Sequence, residues 1–477
     1  MCSSDLGVVL PPTEFPVAFV IPGSPYALGI VTTGVSPEFS ALYTVPVTEL
    51  QGEQTPWRKI ADREDKISSF DVHGDDLYLL TFKDAPRFKV GKTSLSNPEC
   101  AKAATIVPPG EAVVRTINAA KDALYVQLTD GGIGRVLRFA FQNDGKAEEV
   151  RMPFAGSVSL SGVHPRLKGV LLTLTSWTKA PLIFEYQPGS GALRDTKLQP
   201  LGRYDDPEDL ETKEAKVKSH DGVMVPLSIV HKKGLKLDGR NPTLLRGYGA
   251  YGISSDPQFD VRSLAFLERG GILAIAHVRG GGEYGEEWHM AGFKKTKPNT
   301  WKDFNACAEY LIQSKYTSPQ YLAGTGASAG GILIGRAMTE RPDLFAVAIP
   351  AVGCLDMLRA ETTSNGVPNI PEFGTVKDPE EFKALFEMST LHHIKDKEKY
   401  PAVLLTHGIN DPRVEPWHSG KVAARLQATT SSGKPILLRL NYETGHGIGN
   451  TKRQAQEEFA DEVSFIFWQT GVKEFQP

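Results

Sequence analysis

The sequence predicts two parts, an all-β segment built from repeated strand pairs and then a doubly wound, mostly parallel α/β sheet. Two observations predict this division. Similar apolar strand pairs recur at a fixed spacing through the first two hundred residues. Further along, an apolar run, a glycine-rich turn and a helical segment follow one another, which is typical of a strand-to-helix connection in α/β proteins. The charged stretch Asp205-Asp206-Pro207-Glu208 separates them, so we predict domains at 1–207 and 208–477.

The amino-terminal repeats predict the blades of a β-propeller. Three similar runs begin 47 residues apart, at Leu77–Thr81, Leu124–Thr129 and Leu171–Thr175. Each precedes a second apolar run, and a weaker earlier copy is visible; these further runs are Arg87–Val90, Val136–Phe139, Leu182–Tyr186, and Tyr26–Val31 with Leu42–Val45. Short strand pairs at this period indicate about four blades, an incomplete propeller. A β-rich sandwich with accidental spacing is the alternative.

The turn Gly326-Ala327-Ser328-Ala329-Gly330 is the first candidate for chemistry. It lies between the apolar run Tyr321–Thr325, a predicted buried strand, and the predicted helix Ala329–Met338, which stops near Arg341-Pro342. Strand, sharp turn and helix form the setting of a nucleophile elbow, in which small residues let the chain turn tightly. The alternative is a glycine-rich turn whose serine only caps the helix.

Asp411 and His446 are the other two candidates, because each follows an apolar run, Ala402–Thr406 and Ile436–Leu440 respectively. Loops at the carboxyl ends of parallel strands are where α/β sheets place their chemistry. The chain order Ser, Asp, His is the order of the α/β-hydrolase fold, which we therefore predict for the second domain. An imidazole would take the Ser328 proton and the aspartate would fix its tautomer. The N–H of the residue after the serine, Ala329, would stabilise the oxyanion.

The second domain resembles the prolyl oligopeptidase family of serine peptidases, from about Lys218 to Val472. The resemblance rests on short blocks around and between the candidate residues. These blocks are Ser219-His220-Asp221-Gly222, Arg246-Gly247-Tyr248-Gly249-Ala250-Tyr251-Gly252, Arg279-Gly280-Gly281-Gly282-Glu283-Tyr284-Gly285 with Trp288-His289, Lys315-Tyr316-Thr317-Ser318-Pro319, Arg341-Pro342-Asp343-Leu344-Phe345, Asn410-Asp411-Pro412-Arg413-Val414 and Gly445-His446-Gly447.

This resemblance implies the same three roles for the serine, the aspartate and the histidine. It also implies that the Tyr248 hydroxyl is a second oxyanion donor beside the Ala329 N–H. Arg413 matches a residue that hydrogen-bonds a substrate carbonyl near the scissile bond, a task that suits the fixed guanidinium fork. The alternatives are an interior tyrosine in a glycine-rich turn and an arginine in a surface salt bridge.

A serine peptidase that cleaves short peptides through an acyl-enzyme is the function that the resemblance implies. One departure concerns specificity. Proline-specific members place a tryptophan under the proline ring, and this chain has none between Trp301 and Trp417. The prediction therefore covers the triad and not a preference for proline; Tyr251 is our candidate for an aromatic wall of the pocket. The alternatives are an esterase or acylaminoacyl-type hydrolase with the same triad, and a binding propeller with an inactive hydrolase domain.

The composition indicates no binding partner beyond the peptide substrate. A net charge of −3 gives no electrostatic reason to bind nucleic acid or a membrane, and no apolar run reaches transmembrane length. Four cysteines without C-x-x-C spacing, Cys2, Cys100, Cys307 and Cys354, give no metal or disulfide pattern, so we expect neither a metal nor a cofactor. The opening Met1–Leu6 lacks the features of a signal peptide. We expect an amino-truncated, soluble chain of the cytoplasm or periplasm, and the sequence predicts no particular oligomeric state.

Overall fold

The computed structural model describes residues 9–11, 13–33, 35–142, 146–447 and 449–476 of the 477. Met1–Leu6 and Cys2 lie outside the described residues. The chain divides into two compact units. The first contains the described residues up to Asp205, with Asp256–Phe259 and Glu283–Glu287, and the second contains Asp206–Ser255, Asp260–Gly282 and the described residues from Trp288 onward. The boundary predicted from the charged stretch lies at 207/208.

Within the described ranges, the first unit contains four antiparallel sheets, each of four strands that are consecutive in the chain. The strands are β1 (Phe15–Val20), β2 (Tyr26–Thr32), β3 (Ala41–Pro46) and β4 (Arg58–Asp62); β5 (Ile67–His73), β6 (Asp76–Thr81), β7 (Lys89–Ser94) and β8 (Ala104–Val107); β9 (Val113–Ala119), β10 (Ala123–Asp130), β11 (Ile133–Ala140) and β12 (Ala147–Glu149); and β13 (Ser157–Gly162), β14 (Val170–Thr175), β15 (Leu182–Gln187) and β16 (Ala192–Asp195).

The predicted repeats are the middle strands of these sheets. The three runs spaced 47 residues apart lie in β6, β10 and β14, and the runs that follow them lie in β7, β11 and β15. Apolar clusters fill the space between successive sheets, as stacked propeller blades require. The prediction of a propeller-type all-β domain is confirmed. In one place the strand is shorter than the predicted run: β7 begins at Lys89, because Phe88 turns with φ 68°.

The second unit contains an eight-stranded sheet in the order β17-β18-β20-β19-β21-β22-β23-β24. Pairs β17–β18 and β18–β20 are antiparallel, and the other pairs are parallel. The strands are β17 (Leu210–Lys218), β18 (Met224–Lys232), β19 (Thr243–Arg246), β20 (Ile272–Ala276), β21 (Leu322–Ala327), β22 (Val347–Ala351), β23 (Ala402–Gly408) and β24 (Ile436–Asn441). This is the mostly parallel, doubly wound sheet predicted from the sequence.

The α-helices follow in chain order. They are α1 (Leu264–Leu267), α2 (Glu286–Met290), α3 (Pro298–Gln313), α4 (Gly330–Glu340), α5 (Met357–Ala360), α6 (Ile370–Phe373), α7 (Pro379–Met388), α8 (Thr390–His393), α9 (Trp417–Thr429) and α10 (Lys452–Gln469). Among the described residues, none of these helices combines the length and the apolarity needed to cross a membrane.

The centre of the sheet fixes where a site can form. Strands β20 and β23 are buried along their whole length, as expected of parallel strands covered on both faces. Strand β19 has β20 on one side and β21 on the other, so the chain reverses its winding direction there. Ligands bind outside the carboxyl ends of strands at such a switch point. Tyr248 follows β19 and Ser328 follows β21, so both lie at this position.

Candidate active site

Ser328 lies at the tip of a tight turn between β21 and α4. Its φ is 59°, a left-handed conformation that a non-glycine residue adopts only where neighbouring structure imposes it. The Ser328 N–H donates to the Ala351 carbonyl at 2.9 Å, and the Ser328 carbonyl accepts from Cys354 N–H at 3.0 Å. A Cβ on Gly326 would lie 2.3 Å from the Gly330 carbonyl oxygen. Only glycine fits there, which explains why small residues flank the serine.

Three side chains predicted from separate loops form one hydrogen-bonded chain. His446 Nε2 lies 2.9 Å from Ser328 Oγ, and His446 Nδ1 lies 2.6 Å from Asp411 Oδ2. Because an ionised carboxylate can only accept, Nδ1 carries the proton and Nε2 is free to accept from the serine hydroxyl. The His446 side chain is 7% exposed and the Asp411 side chain is fully buried. This arrangement can transfer a proton from Ser328 to His446 when the serine attacks an acyl carbon.

Asp411 is held as a carboxylate by the groups around it. Burial alone would raise its pKa, but hydrogen bonds from His407 and His446 and from the backbone of Val414 and Arg413 outweigh burial and bring the pKa well below its ordinary value. Oδ1 accepts the Arg413 N–H at 2.9 Å and the Val414 N–H at 3.0 Å. The two oxygens therefore have separate tasks, since Oδ1 anchors the turn and Oδ2 faces the imidazole.

The loops that carry Asp411 and His446 are joined by their backbones. Ile409 N–H donates to Asn441 O at 2.9 Å, and Asn410 N–H donates to Thr444 O at 3.2 Å. At Gly408 the loops come so close that a Cβ would lie 2.2 Å from the Gly445 carbonyl oxygen. The distance between acid and base is thus set by main-chain contacts rather than by the two side chains alone.

Two hydrogen-bond donors converge on the amino-terminal end of α4. Burial raises the pKa of the Tyr248 phenol to about 12, so its hydroxyl is protonated and can donate at neutral pH. Tyr248 packs against the start of α4, where a Cβ on Gly330 would lie 3.4 Å from the tyrosine Cδ2. Among the described residues, the Ala329 N–H donates to no backbone carbonyl. A charge that develops beside Ser328 would meet both groups.

Two family models match this chain. Residues 31–199 match the amino-terminal β-propeller domain of prolyl oligopeptidase, and residues 257–473 match the prolyl oligopeptidase family. The chain belongs to the prolyl oligopeptidase family. The resemblance seen in the sequence is confirmed.

Relatives and solved structures agree with this assignment. A prolyl endopeptidase of Elizabethkingia meningoseptica is 36% identical over 411 residues, which cover 86% of this chain and 58% of that protein. A dual function macrocyclase-peptidase of Galerina marginata is 31% identical over 430 residues, 87% of this chain and 58% of the relative. A structure from a study of two prolyl endopeptidases superposes with a TM-score of 0.88 at 33% identity, covering 97% of this chain and 67% of that one. The chain thus spans 58% of the length of these two curated relatives.

Arg413 and Tyr251 are the two remaining predicted site residues. Arg413 is exposed, and within the described part of the chain its guanidinium forms no ion pair. The alternative that Arg413 serves only in a surface salt bridge is therefore not supported among those residues. Its positive charge lowers the pKa of the Tyr248 phenol, against the larger effect of burial, which raises it. Tyr251 has φ 57°, donates from its hydroxyl to Asn369 Oδ1 at 2.8 Å and packs edge-on against Phe373 with 5.4 Å between ring centroids. Its role as a pocket wall stays a prediction.

His407 is a residue that the sequence reasoning missed. It is fully buried at the end of β23, with Nε2 2.8 Å from Val414 O and 3.4 Å from Asp411 Oδ2, and Nδ1 2.8 Å from Ser419 Oγ. Because the Val414 carbonyl can only accept, Nε2 carries the proton and Nδ1 accepts from Ser419. His407 therefore supports the turn that presents Asp411. The only signal in the sequence was its position four residues before the acid.

Proposed function

We propose that this chain hydrolyses short peptides through an acyl-enzyme formed on Ser328. The observation that supports this most strongly is the unbroken hydrogen-bond chain from Asp411 through His446 to Ser328, at 2.6 and 2.9 Å. Relatives over most of the chain are named prolyl endopeptidases and a macrocyclase-peptidase, names that describe action on peptides.

The proposed reaction has two halves. Ser328 Oγ forms a bond to the substrate carbonyl carbon while its proton passes to His446 Nε2, and the carbonyl oxygen becomes an anion facing the Tyr248 hydroxyl and the Ala329 N–H. The C–N bond then breaks, and the imidazolium returns its proton to the leaving amine. In the second half, water attacks the ester carbon while its proton passes to Nε2. The bond from that carbon to Ser328 Oγ then breaks, the imidazolium returns the proton to Oγ, and the acid product leaves.

Fluorophosphonate labelling tests the nucleophile. We expect stoichiometric labelling of the folded protein and none of Ser328→Ala, because the reagent needs an activated serine. Ser318→Ala is the matched control, since that serine lies in the loop before β21 and should leave labelling unchanged. Folded protein that takes up no label would refute the proposed acyl-enzyme.

Substrate comparison tests the leaving group. Hydrolysis of a peptidyl-proline amide, of other peptide amides and of a short-chain ester is measured for the wild type and for Ser328→Ala. We expect serine-dependent amide cleavage. Ester turnover without any amide turnover would replace the peptidase proposal with an esterase, and labelling without any turnover would favour a binding protein.

The residue preference at the scissile bond is the finer part of the proposal. Tyr251 donates to Asn369 and packs against Phe373, and no tryptophan occurs between Trp301 and Trp417. We propose that the pocket accepts residues besides proline, because the tryptophan that proline-specific members place under the proline ring is missing from this stretch. Amide cleavage confined to proline would contradict this.

A further inference from the structure

A cluster of charged side chains is buried beside the loop that carries Tyr248. Lys297, Glu372 and His289 are exposed by 1%, 3% and 4% respectively. His289 Nε2 donates to Glu372 Oε2 at 2.9 Å, and Lys297 Nζ lies 4.0 Å from Glu372 Oε1. Burying an ion pair costs free energy that the attraction between the partners seldom exceeds, so stability alone explains such a cluster poorly.

The cluster holds the backbone on both sides of Ala250. Lys297 Nζ donates to the Gly249 carbonyl at 2.5 Å, and Glu372 Oε1 accepts the Tyr251 N–H at 2.8 Å. Gly249, Ala250 and Tyr251 directly follow Tyr248. The first and last of them have left-handed backbones, with φ 72° at Gly249 and 57° at Tyr251. Charge-assisted hydrogen bonds are about twice as strong as neutral ones, so they can hold Tyr251 in a left-handed conformation that is unfavourable for a residue with a Cβ.

The pKa values of Lys297 and Glu372 depend on each other. Burial lowers the pKa of Lys297 to about 8, and the charge of Glu372 opposes that fall. Burial would raise the pKa of Glu372, but the hydrogen bond with His289 and the charge of Lys297 outweigh it and keep the carboxyl ionised. Removing either partner therefore leaves a buried charge without its counter-ion. The loop also loses one charge-assisted hydrogen bond.

The same cluster contacts the segment that lies over Tyr251. Lys297 Nζ is 5.5 Å from the centre of the Phe373 ring, and Phe373 in turn packs edge-on against Tyr251. Glu372 itself belongs to α6, the short helix that contains Phe373. One pair of charges thus fastens two segments, the loop after β19 and α6.

We infer that Glu372 and Lys297 are positioning residues that hold the Tyr248 hydroxyl in place as an oxyanion donor. The inference rests on the proposed function, because it gives Tyr248 a part in the reaction. Neither side chain needs to touch substrate, since each acts through the backbone of Gly249 or Tyr251. A displacement of about 1 Å in such a group can cost a hundredfold in rate.

A double-mutant cycle with Tyr248→Phe tests this inference. Glu372→Gln keeps the size of the side chain and removes its charge, and Lys297→Met removes the donor to Gly249. We expect each to lower kcat roughly 10- to 100-fold with a smaller change in KM, because only the transition state bears the oxyanion. In a Tyr248→Phe background, itself slower by roughly 10- to 1,000-fold, either change should cost less than about threefold, since the donor it positions is gone.

Controls come from a pair that is exposed. Lys383 and Glu380 lie 2.6 Å apart with 71% and 81% of their side chains exposed, so Lys383→Met and Glu380→Gln should leave kcat unchanged. Full additivity of Glu372→Gln with Tyr248→Phe would overturn the inference. So would failure of both Glu372→Gln and Lys297→Met to fold, judged by near-UV circular dichroism, because the cluster would then serve the fold alone.

The two proposals fail in different ways. A wild type that takes up fluorophosphonate but hydrolyses no amide would contradict the peptidase proposal. The positioning role would still be measured, by the labelling rate across the same cycle, because the phosphyl oxygen that develops charge meets the same donors. Normal wild-type turnover with an additive cycle would contradict only the positioning role.

Discussion

Asp411→Asn isolates the orienting role of the acid, because the structure dictates which way the new amide must face. Oδ1 of Asp411 accepts two backbone N–H groups, from Arg413 and Val414. Placing the amide nitrogen there would set a donor against two donors, and each buried donor left unpaired costs about 1–3 kcal/mol. The asparagine oxygen must therefore take the Oδ1 position, and its NH2 group must face His446.

That orientation of the amide forces the other tautomer of the His446 imidazole. The NH2 group now lies where Oδ2 was, 2.6 Å from His446 Nδ1, so Nδ1 has to accept and the ring proton moves to Nε2. Protonated Nε2 cannot take the proton of Ser328. We expect kcat to fall on the order of 10⁴-fold, or about 5 kcal/mol in activation free energy.

Steady-state amide hydrolysis and the rate of fluorophosphonate labelling both measure this loss. Asp356→Asn is the matched control, since Asp356 is 2% exposed in the same unit but pairs with Lys421 at 2.9 Å instead of with the histidine. It should keep kcat close to the wild-type value. If well-folded Asp411→Asn lost less than tenfold, the tautomer argument would be wrong.

Two further predictions concern packing and pH. Gly326→Ala should destabilise the protein by about 1–3 kcal/mol and abolish labelling, because its Cβ would lie 2.3 Å from the Gly330 carbonyl oxygen. Gly420→Ala, at the fourth residue of α9 with open space around it, should instead stabilise the protein by up to about 1 kcal/mol in denaturant titrations. Glu462 lines a cavity of about 460 Å³ beside His446, and burial, with a contribution from Glu458, raises its pKa to about 7. The folded state then binds more protons than the unfolded state between about pH 4.5 and 7, so the stability of the wild type falls as the pH rises through that range. Glu462→Gln removes this loss, so its gain in unfolding free energy over the wild type should be up to about 3 kcal/mol larger at pH 8 than at pH 5. Equal unfolding free energies for Gly326→Ala and wild type, or an equal effect of Glu462→Gln at both pH values, would contradict these arguments.

The sequence revealed the middle strands of each propeller sheet and not the outer ones, for a physical reason. Strands β6 and β10 are mostly buried, so selection for apolar residues makes them visible. Strand β12, with the sequence Ala-Glu-Glu, is exposed at every residue and has no apolar pattern to detect. The pairing of β12 with β11 is specified by backbone hydrogen bonds, which any residue but proline can supply.

The candidate triad could be predicted because each member follows its own buried strand, and parallel strands bring their carboxyl ends to one edge of the sheet. His407 and the Lys297–Glu372 pair could not. Lys297 and Glu372 are 75 residues apart, and their meeting depends on how α6 lies against the loop after β19, which no local pattern records. Likewise, the sequence around Tyr251 gave no sign that its backbone is left-handed.

The candidate triad and the predicted pocket wall lie on different segments of the second unit. The candidate triad comes from the loops after β21, β23 and β24, whereas Tyr251, Asn369 and Phe373 come from the loop after β19 and from the α6 region. The two sets are joined by weak contacts such as the one from Asn365 Nδ2 to the Arg413 carbonyl at 3.4 Å, while a charged hydrogen bond holds the loop after β19 to α6. We therefore expect substitutions of Asn369 or Phe373 to change which residue is accepted without moving the serine, the histidine or the aspartate, whereas substitution of Glu372 acts on the reaction through the Tyr248 loop.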